Sequence, residues 1–254
     1  MSILQRWQAG SLAVLTACLV AACGGGGDSN SSPIINPTPQ PTPTVPVEPN
    51  APAVTGNVAV DGLNWLNFRR SQAGLSILTR NALIDSAAQN HSDYQRINNT
   101  VAHEETPGKS GFTGVSPLER LAHVGYTFTG GYAYGEVISA SSSSSGQYLA
   151  EELITAIYHR FVIFEPKFKE IGAGAANSNG YYYLTVNFTS NNGYPPGLGL
   201  GQVATWPVSG QTNVTRNFFS DFESPDPVDG ANEVGYPVSV HADINVTLSV
   251  SSFT

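Results

Sequence analysis

Residues 66–94, LNFRRSQAGLSILTRNALIDSAAQNHSDY, carry the pattern that decides the fold of this chain. Leu63 and Leu66 begin a helical face, and Gly74 follows at a place where helices commonly end. Asn81 then precedes a second helical pattern, because apolar and half-polar residues recur there at three- and four-residue spacing. These residues are Ile84, Ala87, Ala88, His91 and Tyr94. The stretch therefore predicts two helices joined by a short connection.

Two further helices are predicted downstream. Ser116, Pro117 and Glu119 form the signature of a capping box with proline in the first turn, and Gly125 is positioned to end this short helix. A longer helix is predicted over residues 147–164. Its predicted inner face consists of Leu149, Leu153, Ala156, Ile157, Arg160 and Phe164.

Strand signals follow the helices. Asn179-Gly180 suits a type I′ hairpin turn, and residues 181–188 alternate in the manner of a strand. Its predicted shared face consists of Tyr182, Leu184, Val186 and Phe188. Helices followed by strands predict an α+β layered domain over residues 57–192.

The character of the sequence changes at residue 193, after which helical signals disappear. Residues 238–250 alternate between apolar and polar side chains over thirteen positions, which predicts a half-buried strand or a bent pair of strands. Residues 193–254 are therefore expected to form a short all-β C-terminal extension. Because about sixty residues are few for an independent core, we expect an incomplete sandwich that either docks on the preceding domain or stays loosely ordered.

The N-terminus has the pattern of an export signal. Residues 1–22 contain one basic residue, Arg6, and an apolar run too short for a good membrane span. The run ends in small residues before Cys23, which resembles the lipobox of bacterial lipoproteins. We therefore expect cleavage before Cys23, a lipid on its thiol, and a Gly/Pro/Ser/Thr-rich tether over residues 23–56. Gly24 after the cysteine resembles cargo for the outer membrane.

Charge and cysteine content narrow the possible partners. The chain has 11 Lys+Arg against 19 Asp+Glu and no basic stretch interleaved with aromatic residues, so nucleic acid is not expected to bind. The two cysteines, Cys18 and Cys23, are assigned to the signal peptide and the lipid, so no disulfide is expected in the mature fold. Its stability must then come from a packed core.

Three short motifs resemble known catalytic or nucleotide-binding signatures, but none of them matches its signature completely. The run from His103 to Pro107 begins like a zinc-protease helix, but proline stands where the second histidine is needed. Gly108-Lys109-Ser110 lacks the upstream glycine of a phosphate-binding loop. Gly172-Ala173-Gly174 is better explained by close strand packing than by a dinucleotide site. No Gly-x-Ser-x-Gly elbow is present, so nothing local predicts a serine hydrolase.

An ordered series of short segments between residues 58 and 192 resembles one family. The segments are Ala102-His103-Glu104, Pro117-x-Glu119-Arg120, Gly135-Glu136, His159-Arg160 and Glu170-Ile171-Gly172-x-Gly174. Together with the opening helices they resemble the CAP superfamily of cysteine-rich secretory, antigen 5 and pathogenesis-related proteins, in its bacterial SCP-like branch. The resemblance implies an α-β-α layered domain.

The resemblance also implies a cleft site built from two histidines and two glutamates. His103, Glu136 and His159 match three of its members, and they are the expected ligands of a divalent metal such as zinc. Glu152 is the best substitute for the fourth, because seven residues would place it on the same helical face as His159. Val137 departs from the family pattern, which has asparagine there. Without metal, a glutamate beside a histidine could serve acid–base chemistry or only hold loops together.

The expected function is that of an exported binding module with a His/Glu cleft for a small apolar ligand or a divalent metal. A lipid, sterol or glycan is the expected ligand class, with a groove lined by Tyr132, Tyr134, Tyr181, Tyr182 and Tyr183. A metal-dependent or His/Glu-assisted hydrolase and a structural protein of the cell envelope are the alternatives. The catalytic residues of such a hydrolase cannot be named from the sequence.

Overall fold

The computed structural model describes residues 48–252, so the predicted signal peptide, Cys23 and most of the tether lie outside it. Its helices are α1 (Val58–Gln72), α2 (Ala82–Asn98), α3 (Pro117–His123), α4 (Gly146–Thr155) and α5 (Ile157–Ile163). Its strands are β1 (Thr79–Arg80), β2 (Ala133–Ser141), β3 (Glu170–Ser178), β4 (Tyr181–Ser190), β5 (Val203–Trp206), β6 (Asn217–Phe219), β7 (Glu233–Gly235) and β8 (Ser239–Ala242). A 3-10 helix, Ser220–Phe222, follows β6. Within residues 48–252, no helix has the length and apolar character needed to span a membrane.

The predicted ends of the first three helices are confirmed. The Asn81 side chain accepts a hydrogen bond from the Leu83 amide at the start of α2. Ser116 and Glu119 form the reciprocal capping box of α3. Gly74, two residues beyond α1, has φ +77, a conformation that glycine adopts without strain.

Four strands form a sheet in the order β1-β3-β4-β2, in which only β1 and β3 run parallel. The hairpin between β3 and β4 turns at Asn179 and Gly180, both with positive φ, as the predicted type I′ turn requires. Helices α1, α4 and α5 cover one face of the sheet, and α2 and α3 cover the other. The α+β layered architecture predicted from the sequence is therefore confirmed.

The two faces of β4 differ in chemistry. Leu184, Val186 and Phe188 are completely buried in the main hydrophobic core, which confirms the predicted apolar face. The opposite face is also completely buried but polar, and it consists of Thr185, Asn187 and Thr189. The interior between the sheet and α2 is consequently a polar layer, and its hydrogen bonds have to be satisfied within the protein or by water.

Close approach explains the Gly-x-Gly pattern of β3. A Cβ at Gly172 would lie 2.3 Å from the Asp85 backbone nitrogen, and one at Gly174 would lie 2.1 Å from that of Gln89. The side chains of Asp85 and Gln89 accept hydrogen bonds from the backbone amides of β3, at Ala173 and Ala175. The expectation of close strand packing, in place of a dinucleotide site, is confirmed.

The predicted single helix over residues 147–164 is wrong, because the chain breaks at Ala156. This residue is extended, with φ −72 and ψ 121, and it separates α4 from α5. Arg160 reaches back from α5, and its Nε and Nη2 donate to the carbonyls of Ile154 and Thr155 at 2.6 and 3.1 Å. The guanidinium thus satisfies carbonyls at the end of α4 that a continuous helix would have bonded internally.

The predicted alternating strand over residues 238–250 is also shorter than expected, and its polar face is the buried one. Only Ser239–Ala242 pairs as a strand, and its buried side chains are the polar Ser239 and His241, whereas Val240 is 41% exposed. The strand ends at Asp243, whose carboxylate accepts from the amides of Leu198, Gly199 and Ile244. A turn back to the Asp243 carbonyl then diverts the chain from an extended path.

The extension and the last tether residues both contact the layered domain. Trp206 of β5 is completely buried in the main core, where its ring meets Phe164 edge-on at 5.4 Å. At the other end, Glu48 pairs with Arg69 at 2.8 Å, and the Pro52 carbonyl accepts from Gln147 at 2.8 Å. The extension therefore shares its core with the layered domain.

Candidate functional site

Glu136 lies at the centre of a buried polar cluster between β2 and α3. Arg120 Nη2 donates to both carboxylate oxygens of Glu136, each at 2.8 Å. His103 Nδ1 lies 2.9 Å from Glu136 Oε1. The Glu136 side chain is 2% exposed and that of Arg120 is fully buried. Both oxygens of this carboxylate are therefore already bound by donors of the protein.

The electrostatics of the cluster keep Glu136 ionised. Burial by itself raises the pKa of this carboxyl, but the Arg120 guanidinium opposes it most strongly, followed by His91 and His103. The outcome is a pKa of about 2. Glu136 is consequently an anion at every pH at which the protein is expected to work.

His91 and Glu105 form the second half of the cluster. Glu105 Oε1 lies 2.9 Å from His91 Nδ1, and His91 Nε2 lies 2.9 Å from the Ala102 carbonyl. Burial raises the pKa of Glu105, but the hydrogen bonds from His91 and from the Thr113 amide outweigh it and lower the pKa. Because an ionised carboxylate can only accept, His91 Nδ1 is the donor to Glu105.

The Arg120 guanidinium lies close to both carboxylates, 2.8 Å from Glu136 and 3.9 Å from Glu105. Because the ionised carboxylate of Glu136 can only accept, Nδ1 of His103 is the donor to it, and in the neutral ring the lone pair lies on Nε2. His91 itself is completely buried, and both of its ring nitrogens lie within hydrogen-bond distance of an acceptor.

The Nε2 nitrogen of His103 is accessible to solvent. The side chain is 13% exposed, and Nε2 has no hydrogen-bond partner among residues 48–252. It is also absent from the buried unpaired atoms of that part of the chain, so it has access to solvent. An imidazole oriented by a buried carboxylate can accept a hydrogen bond, bind a metal or act as a base.

Three aromatic side chains cluster at the start of β2 and just before it. Tyr134 is two residues from Glu136 and shares its face of the strand. The Phe128 ring lies 4.7 Å from that of Tyr132 and 6.3 Å from that of Tyr134. We call these three residues the aromatic cluster. The other tyrosines of the predicted groove lie at the opposite end of β2. Tyr182 and Tyr183 pair there with Ser141 and Ala140, and the Tyr181 hydroxyl donates to the Ala140 carbonyl, so the five do not line one groove.

His159 does not join the cluster around Glu136. Its Nδ1 lies 3.0 Å from Glu223 Oε1 in the C-terminal extension. Among residues 48–252, no group of three or more His, Cys, Asp or Glu side chains is placed to hold a metal ion. The predicted metal ligands His103, His159 and Glu136 therefore do not form a three-ligand site, because separate partners hold His159 and Glu136.

Glu152 does not pair with His159 either. Its carboxylate accepts a long hydrogen bond of 3.4 Å from Ser139, and burial raises its pKa. The prediction assumed a continuous helix between Glu152 and His159, and the break at Ala156 removes the shared helical face. Val137, where the family pattern has asparagine, is 1% exposed and belongs to the main core.

Three residues at these sites, Arg120, Glu105 and Glu223, are not predicted as site residues from the sequence. Arg120 was recognised only as part of a family segment, although a cation beside a buried carboxylate was required by charge balance. Glu105 was counted as part of a broken zinc motif. Glu223 has no local signature at all, since its importance arises only from its contact with a residue 64 positions earlier.

Comparison with known proteins agrees with this architecture. The sequence model described as "CAP: Cysteine-rich secretory protein family" matches residues 63–189. No curated protein sequence matches the chain significantly.

Solved structures with a similar fold include three bacterial proteins. An extracellular protein containing a SCP domain from Bacillus anthracis is 23% identical, with a TM-score of 0.44, and the match covers 52% of this chain and 39% of that one. An outer surface protein from Borrelia burgdorferi is 13% identical, with a TM-score of 0.43 and coverage of 51% and 90%. A cysteine-rich secretory protein from Staphylococcus aureus is 16% identical, with a TM-score of 0.38 and coverage of 54% and 40%.

Proposed function

Because the chain belongs to the CAP (cysteine-rich secretory protein) family, we propose that it is an exported, lipid-anchored binding protein whose ligand contacts His103. The observation that carries the proposal is the geometry of this histidine: Nδ1 is held by a buried, ionised Glu136, and Nε2 is accessible. The carboxylate fixes the tautomer, so the accessible nitrogen is an acceptor for a hydrogen-bond donor of the ligand.

Binding is favoured over catalysis by the partners of the cluster. A catalytic histidine of a hydrolase activates a hydroxyl, a thiol or a metal-bound water. Within residues 48–252, no hydroxyl or thiol side chain is hydrogen-bonded to His103. Both oxygens of Glu136 are occupied by Arg120 and His103, so this carboxylate is not free to act as a second base.

We expect a ligand with an apolar body and a hydrogen-bond-donating head. Tyr134 shares its face of β2 with Glu136, and it packs with Phe128 and Tyr132, which precede the strand. The aromatic cluster (Phe128, Tyr132 and Tyr134) thus offers apolar ring surface. A lipid or sterol hydroxyl has this chemistry, since its hydroxyl can donate to Nε2 while its hydrocarbon part lies against the rings.

Divalent metal is the other expected ligand, and its fit to the residues is incomplete. His103 has the carboxylate-held imidazole that is typical of metal ligands. The remaining predicted ligands do not complete the set, because Glu136 is saturated and His159 is held by Glu223.

The test compares two histidine variants of the chain over residues 24–254. Wild type, His103→Ala and His123→Ala are incubated with a total lipid extract, re-purified and analysed by native mass spectrometry, with a parallel zinc titration. His123 is an exposed histidine on α3 and serves as the matched control. We expect wild type and His123→Ala to retain lipid and His103→Ala to lose it. Equal retention by all three, or retention of zinc alone, would contradict the proposal.

Anchoring is tested separately in cells that express the complete chain with a labelled fatty acid. We expect label in wild type and in Cys18→Ala, which changes the cysteine inside the predicted signal peptide, and none in Cys23→Ala. Label that persists in Cys23→Ala, or its absence from wild type, would refute the lipoprotein assignment while leaving the ligand proposal untouched.

A further inference from the structure

Helix α5 begins without a cap of its own. The residue before it, Ala156, makes no side-chain capping hydrogen bond, unlike the capping residues of the four preceding helices. The first amides of a helix have no partner within the helix and must find one elsewhere. Here the amides of Tyr158 and His159 donate to Glu223 Oε1, at 2.6 and 3.0 Å.

The same carboxylate oxygen also holds the imidazole of His159. His159 Nδ1 lies 3.0 Å from Glu223 Oε1, so one oxygen receives three donors from two consecutive residues. The side chain of Glu223 is 1% exposed and that of His159 is 11% exposed. Backbone and side chain of His159 are thus fixed by one residue of the extension.

A rigid local structure presents Glu223 to the helix. Its amide donates to the carbonyl of Ser220, the first residue of the 3-10 helix after β6. Ser220 is completely buried, and its amide and hydroxyl donate to the carbonyls of Asn232 and Ala231 at 2.8 Å each. The carboxylate is therefore carried by the hairpin of β6 and β7.

Arg160, the next residue of α5, binds the other hairpin of the extension. Its Nη1 donates to the Pro237 carbonyl at 2.7 Å and to Ser239 Oγ at 3.1 Å, beside β8. The guanidinium carbon lies 5.2 Å from the centre of the Tyr236 ring, and the hydroxyl of Tyr236 accepts from Trp206 Nε1 at 2.9 Å. His159 and Arg160 therefore each hold one hairpin.

We infer that Glu223 is a positioning residue for His159. Through this residue, the extension also supplies the N-terminal cap that α5 of the layered domain lacks. We call the contacts of His159 and Arg160 with the extension the extension junction. It fixes His159 with its proton on Nδ1 and its lone pair on Nε2. This inference does not depend on the ligand proposed for His103, because it concerns a different histidine and a different carboxylate.

The experiment compares Glu223→Ala, Glu223→Gln and the control Asp221→Ala in the chain over residues 24–254. Glutamine retains an oxygen that can accept from both amides and from Nδ1, whereas alanine does not. Asp221 is an exposed acidic residue two positions away. Nitrogen chemical shifts of the ring, measured by NMR, report the tautomer of His159, and amide exchange reports the cap.

We expect wild type, Asp221→Ala and Glu223→Gln to keep the proton of neutral His159 on Nδ1. Glu223→Ala should move it to Nε2 and should lower amide protection at Tyr158 and His159 about tenfold, since a lost cap exposes these groups. A wild-type ring protonated on Nε2, or a tautomer unchanged in Glu223→Ala, would overturn the inference. If Glu223→Ala does not fold, Glu223→Gln still decides it, because a tautomer that changes in this variant contradicts positioning by the oxygen.

Discussion

His103 and His159 have similar local geometry but are held by different parts of the molecule. Each ring has Nδ1 about 3 Å from a buried carboxylate, 2.9 Å for Glu136 and 3.0 Å for Glu223, and each side chain is slightly exposed. The first carboxylate is neutralised by Arg120 within the layered domain. The second is bound by helix amides and belongs to the extension.

The two buried carboxylates of this chain are thus stabilised in different ways. Glu136 relies on a full countercharge, so its cluster is a matter of charge balance. Glu223 relies on backbone donors at a helix start, and its second oxygen has no partner within the described residues. The extension junction should therefore respond to changes in packing, and the buried cluster to changes in charge.

The largest expected effect comes from removing the countercharge of the buried cluster. Arg120→Met leaves Glu105 and Glu136 without their shared cation, which should cost about 3–5 kcal/mol in the free energy of unfolding. Urea denaturation measures the change. Arg96→Met is the control, because Arg96 forms an exposed pair with Asp93 and should cost at most about 0.5 kcal/mol. Equal losses in both variants would show that charge balance does not hold this cluster.

A somewhat smaller effect is expected from the packing of the extension. Trp206→Leu should leave a cavity beside Phe164 and remove the donor to the Tyr236 hydroxyl, at a cost of about 2–3 kcal/mol. Amide exchange should accelerate in the extension and at the start of α5 more than around Glu136. Val203→Ala, at an exposed position of the same strand, is the control and should change little. Loss confined to the extension, with α5 unaffected, would contradict a shared junction.

The extension and the buried cluster should lose stability in different pH ranges. Burial lowers the pKa of His241 to about 4 from 6.5, with a smaller contribution from Arg160, so the folded chain resists a proton that the unfolded chain binds. Stability from this residue is complete above pH 6.5 and falls as the pH drops toward 4. Glu136, whose pKa is lowered to about 2 from 4.5, contributes a loss only between pH 4.5 and 2.

Unfolding free energies measured across these two ranges test the separation. His241→Gln should flatten the pH dependence between 6.5 and 4 and leave the range below 4 unchanged. If the upper range keeps its slope in this variant, His241 is not the group responsible, and the docked extension has no acid-sensitive contact at that position.

The smallest effect is expected at Glu152, which the sequence had placed with His159. Glu152→Gln should alter the free energy of unfolding by no more than about 0.5 kcal/mol, because burial already disfavours the charge and glutamine keeps an oxygen that can accept from Ser139 and Tyr148. The His159 tautomer should remain as in wild type. A tautomer change in Glu152→Gln, read by the same NMR experiment as for Glu223, would return Glu152 to the site.

Local patterns were sufficient for much of the layered domain and for half of the site. Helix caps at Asn81 and Ser116 and the turn at Asn179 are decided by neighbours within a few residues, so the sequence predicts them. Glu136 and His103 were found through short family segments, and the structure brings them together. His159 and Glu152 were assigned to the same cleft on a helical face that does not exist, because Ala156 interrupts it.

The sequence by itself determined the α+β class, the apolar face of β4 and the need for a close approach at the glycines of β3. Only the tertiary structure decided which carboxylate serves which histidine and which face of β8 is buried. The period-two pattern favours burial of Val240, yet Ser239 and His241 turn inward. They do so because Ser239 accepts a hydrogen bond from Arg160, and the His241 ring packs against the rings of Phe161 and Phe164. Which face of a strand is buried therefore depends on residues far along the chain, and local periodicity cannot predict it.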